Sequence, residues 1–195
     1  MNLSRLLLFN SPALSRLLAA MVFLAALVIP LHATVLTGTF DGVGTLTPTG
    51  MPGIFTQNLT GDGTDAFFGA FTIAGQSTID FSSPPQIVVT SGMVTLTFSN
   101  GTLFGTTAGE GTANGMGMAT FDGDFSITGG TGRFAGVTGD IMVNGTITRT
   151  SPTTEDINAS YQGSITPEPS SLLLLATGLL SPVLMPGFYR KWEAR

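Results

Sequence analysis

The chain of 195 residues has no cysteine, one histidine (His32), one lysine (Lys191) and one tryptophan (Trp192). Each scarcity removes a class of chemistry. Without cysteine there are no disulfides and no thiol nucleophile, so stability must come from a packed core. From Thr34 to Thr166 there is no histidine, lysine or cysteine at all, which excludes Ser-His-Asp and Cys-His catalysis and a conventional zinc cluster there. In the same span Arg133 and Arg149 are the only cations against ten carboxylates. An acidic body of this kind repels phosphate backbones, so nucleic acid is not an expected partner. Charged residues make up only 10% of the chain, yet the apolar residues crowd the two ends and the middle is rich in Gly, Thr, Ser and Asn.

The first 33 residues have the layout of a secretory signal peptide. Arg5 and Arg16 supply positive charge, Leu17–Ile29 is an uncharged apolar run, and Pro30 breaks it. Ala33 offers a small residue before Thr34, which places the expected cut between them. The run is too short for a comfortable bilayer span, which favours cleavage over a permanent anchor.

The C-terminal end repeats the theme. Leu172–Tyr189 carries no charge, and as a helix it would reach about 27 Å, enough to cross the hydrocarbon core. Gly178, Pro182, Pro186 and Gly187 suit a soluble helix poorly but are better tolerated in a span. Arg190, Lys191 and Arg195 follow and would hold that end in the cytoplasm. Just before the span, Pro167-Glu168-Pro169 should be extended and exposed, because two prolines stop both a strand and a helix. The chain therefore divides into a signal peptide (1–33), an extracytoplasmic body (34–166) and a tail (167–195).

The order Pro167, Glu168, Pro169, Ser170, then Leu172–Leu175 with Gly178, then Arg190 and Lys191 resembles the PEP-CTERM sorting signal of Gram-negative bacteria. Two features depart from that pattern: Pro182 and Pro186 interrupt the span, and Glu193 dilutes the basic end. The resemblance implies processing by an exosortase, a membrane transpeptidase-like enzyme with a cysteine nucleophile. It further implies a precursor held transiently in the inner membrane, then delivery to the cell surface or extracellular matrix, and an association with biofilm or exopolysaccharide. It covers only the tail. Two other classes fit the same chain: a membrane-anchored surface binding module, and a secreted carbohydrate-active enzyme working through an acidic pair such as Asp122 and Asp124.

The body reads as all-β. Met93–Phe98 and Ile141–Thr148 alternate apolar and polar residues with period two. Asp41-Gly42, Asp62-Gly63, Asn100-Gly101, Asn114-Gly115, Asp122-Gly123 and Asn144-Gly145 look like hairpin turns. Counted that way, nine to eleven strands form a single antiparallel barrel or sandwich, flanked by a signal helix and a transmembrane helix. Gly130–Ala135 fits a dinucleotide fingerprint by spacing, but an alternating strand follows where the fingerprint needs a helix. The same stretch, with Gly129, Gly130, Gly132, Phe134, Gly136 and Gly139, resembles the turn motif of allene oxide cyclase and dirigent barrels. That resemblance implies a barrel that the phenylalanine plugs, and it carries no catalytic residue across. Asp62, Asp65, Asp122 and Asp124 are the only residues whose spacing suggests calcium. The EF-hand pattern is absent and turn aspartates are the simpler reading, so no cofactor is expected.

Overall fold

The computed structural model describes residues 33–167. They form eight strands in simple up-and-down order: β1 (Thr34–Pro48), β2 (Ile54–Asp65), β3 (Gly69–Asp80), β4 (Gln86–Phe98), β5 (Gly101–Ala113), β6 (Met118–Gly130), β7 (Val137–Ser151) and β8 (Thr154–Pro167). Each strand pairs antiparallel with the next, and β8 pairs with β1, so the sheet closes into a barrel. Closure leaves no edge strand to aggregate. The choice between barrel and sandwich is therefore settled as a barrel.

Eight strands is fewer than the turn pairs suggested, and the reason is physical. Only Asn100-Gly101 and Asn114-Gly115 lie at hairpin connections. Asp41-Gly42, Asp62-Gly63, Asp122-Gly123 and Asn144-Gly145 fall in the middle of strands. In each, the polar residue points out and the glycine points in. A Cβ built on Gly145 would stand 2.2 Å from the Asn158 carbonyl oxygen of the paired strand, a separation no side chain can occupy. These glycines let neighbouring backbones approach as the wall of a small barrel curves inward.

Alternation sorts the side chains cleanly. The larger apolar cluster includes Leu36, Phe71, Phe98, Leu103, Phe134 and Ile165. The smaller one holds Leu46, Ile79, Ile87 and Ala119. The outer face is a lawn of Thr, Ser, Asn and Gln with carboxylates at mid-strand, among them Asp41, Asp62, Asp122 and Asp156. A barrel that spans an outer membrane shows the opposite polarity, with an apolar belt outside. Here the outward apolar residues, among them Val43, Met93 and Met142, are interspersed with the polar ones.

The connection between β6 and β7 closes one end. It contains a single helical turn, Gly132–Phe134, which drops the Phe134 ring into the larger cluster at 1% exposure. Gly132 has φ +60, and a Cβ there would meet the Asn100 carbonyl oxygen at 2.4 Å, so both conformation and space demand glycine. The Gly130–Ala135 stretch is followed by β7 and not by an α-helix. The barrel's two cations sit over rings: Arg133 over Phe67 and Phe68 near this plug, and Arg149 over Phe81.

Candidate functional site

Four polar side chains break the apolar parity of the interior, and three of them meet. Gln57 on β2, Ser77 on β3 and Glu155 on β8 all point inward and are buried. They form a chain of hydrogen bonds: the Ser77 hydroxyl donates to Gln57 Oε1 at 3.1 Å, and Gln57 Nε2 donates to Glu155. Among the described residues no buried side-chain polar atom lacks a partner. Burial pushes the Glu155 carboxyl above its usual range, while the Gln57 hydrogen bond and the charge of Arg149 pull the other way and lose.

That shift carries a prediction. A carboxyl whose folded pKa is raised stabilises the fold fully below its ordinary value, and the contribution disappears as pH rises through the raised value. Glu155→Gln keeps an acceptor for Gln57 and removes the titration. Melted between about pH 4 and pH 8, the variant should match the wild type at the acid end. Near neutrality it should be more stable than the wild type, with a higher Tm. Parallel curves across the range would mean that Glu155 does not titrate in the native state.

Beside this chain lies a cavity of about 120 Å³. Its walls are mainly apolar, with Ile73, Ile79, Val89, Leu96 and Phe121, and Gln57 and Ser77 face it as polar groups. Gly75, Gly109, Gly111 and Gly123 also line it. With no side chains of their own, they leave the space unfilled.

A second buried acid, Asp65, stands toward the plugged end. Its Oδ1 accepts from the backbone amides of Phe67 and Phe68, each at 2.8 Å. Its Oδ2 accepts from the Thr37 amide at 3.1 Å and from the Tyr161 hydroxyl at 3.0 Å. Burial drives the Tyr161 phenol far above its usual range, and the Asp65 charge and hydrogen bond add to that. Oδ1 thus closes the β2–β3 turn, and Oδ2 ties that turn to β1 and β8.

The other aspartates singled out by spacing stay apart. Asp62 lies on the outer face of β2, directly across from Asp41. Asp122 and Asp124 share the outer face of β6, and Asp122 stands opposite Glu110 on β5. The structure does not bring Asp62, Asp65, Asp122 and Asp124 together. Among the described residues no group of three or more His, Cys, Asp or Glu could hold a metal ion.

Of the residues tied to processing, Ala33 is exposed, Thr34 opens β1 and Pro167 ends β8. Glu168, Pro169, Ser170, Arg190, Lys191 and Arg195 lie outside the described residues, as do both expected helices. Spacing motifs did not single out Gln57 or Ser77, and they reached Glu155 only as the acidic residue at about the right distance from the rejected dinucleotide fingerprint. The signal was parity: Glu155 shares its strand face with Ile157, Ala159 and Tyr161, and Gln57 with Phe55 and Leu59. No protein family, curated protein or solved structure matches the chain.

Proposed function

We propose that this chain is an exported protein sorted through its tail. An exosortase would cut it near Pro167–Ser170, and the barrel would then serve at the cell surface or in the extracellular matrix. Its role there would be structural or associated with exopolysaccharide. One observation about the barrel carries the reading furthest: the body begins and ends at the same place. Thr34 at the start of β1 pairs with Ile165 near the end of β8, and Pro167 pairs with Val137 beside it. Both ends of the described body therefore lie at one end of the barrel, so that a cut near Pro167 would fall beside the N-terminus that cleavage before Thr34 would leave. The hydroxyl-rich, acidic wall supports the second half of the reading, because it suits a hydrated, polyhydroxylated matrix.

The test is the intact mass of the mature protein in fractions of its own host. A species starting near Thr34 and ending near Pro169, in the extracellular or outer-surface fraction, is the expected result. A species that keeps Trp192 and stays in the inner membrane would remove the sorting step and leave an anchored binding module.

A further inference from the structure

The cavity inside the barrel has a chemistry specific enough to name what fits it, wherever the chain is delivered. A glutamine amide has two N–H donors and, on its oxygen, two acceptor positions. Gln57 spends one donor on Glu155 and one acceptor position on Ser77. One donor and one acceptor position remain. Ser77 has given its only proton to Gln57, so it offers acceptor capacity alone. The pair thus presents a donor and acceptors side by side, which is the complement of a hydroxyl group.

The rest of the cavity decides the body that hydroxyl should belong to. Phe40, Phe71, Phe81, Phe121 and Phe125 all line it, and rings favour edge-to-face contact with another ring. Glu110 and Asp122 contribute to its wall but are exposed, on the outward parity of β5 and β6. Neither arginine lines it. An anion would have no counter-charge there and would bear its full desolvation cost, and the nearby Glu155 carboxyl is already held by Gln57. At about 120 Å³ the space is somewhat below the roughly 150 Å³ of an apolar cavity that takes up benzene. Phe81, half-buried and just beyond β3, bounds it toward the β3–β4 connection.

We propose that the barrel interior is a binding site for one small, uncharged aromatic alcohol of about phenol size, its hydroxyl on Gln57 and Ser77 and its ring among the phenylalanines. The experiment titrates phenol and benzene into the full-length chain carrying carbon-13-labelled isoleucine methyls. Ile73, Ile79 and Ile157 line the cavity and report on it locally. Phenol should shift these methyls saturably and bind about 2- to 10-fold tighter than benzene, the ratio expected from one net hydrogen bond. Gln57→Leu should bring the two ligands to parity. Ser77→Ala, a smaller change, should reduce the preference even if the leucine variant does not fold. Methyls that fail to move saturably with either ligand would overturn the proposal. So would equal binding of phenol and benzene by the wild type, or a preference that survives both substitutions.

Discussion

Phe134→Ala should cost the barrel about 3–5 kcal/mol, a large share of the roughly 5–15 kcal/mol that holds a domain folded. The ring is 1% exposed and meets Phe68 and Phe98 at centroid distances of 4.9 and 5.1 Å. Its removal deletes the centre of an aromatic cluster. The surroundings cannot settle into the gap, because the helical turn is pinned to the β4–β5 hairpin. Thr131 donates its amide to the Thr102 carbonyl at 2.9 Å, and Arg133 donates to Asn100 at 3.0 Å. Phe134→Leu, which keeps most of the apolar volume, should cost well under half as much. Urea unfolding checks both: the midpoint should fall in that order with an unchanged slope. A loss below about 1 kcal/mol for the alanine variant would mean that other residues close this end.

Asp65→Ala is expected to be comparably severe, roughly 3–5 kcal/mol, for a different reason. The carboxylate is 2% exposed and receives four hydrogen bonds, three from backbone amides and one from Tyr161. Hydrogen bonds to a charged acceptor contribute about 1.5–3 kcal/mol each, less than additively when they share one acceptor. Truncation leaves the Tyr161 hydroxyl and the Thr37 amide without their partner. Asp65→Asn keeps one acceptor oxygen but turns an amide group toward other donors, so it should fall between wild type and alanine. Tyr161→Phe removes a single bond and should cost about 1 kcal/mol. A double-mutant cycle between the two positions should show coupling. If Asp65→Ala proved nearly neutral, the β2–β3 turn would be held by its apolar contacts instead.

The class of fold was legible because period-two alternation survives in almost every strand. Met93 faces out and Leu96 and Phe98 face in, as the pattern on β4 implies, although a bulge near Thr90–Ser91 resets the parity before them. Strand number was misjudged because Asp-Gly and Asn-Gly have two uses in this chain. At a hairpin they supply positive φ. Within a strand they set a solvated side chain against a backbone contact, and no local signal tells the two apart. Closure was not legible either, since pairing Thr34 with Ile165 depends on the twist accumulated by all the intervening strands. The interior polar chain left a trace as polar residues on apolar parity. That pattern marks burial, but it cannot show that Gln57, Ser77 and Glu155, drawn from three strands, meet.

The side-by-side placement of the barrel's two termini also fixes how it would yield to force. In an antiparallel pair the ladder bonds lie perpendicular to the strands. A pull that separates the start of β1 from the end of β8 would load those bonds one at a time, beginning with the pair at Thr34 and Ile165. The barrel would open like a zipper, at a low and nearly constant force. A domain with termini at opposite ends of the same ladder would have to shear all the bonds together. Tension applied through its own ends is thus the direction in which this otherwise edgeless fold is weakest.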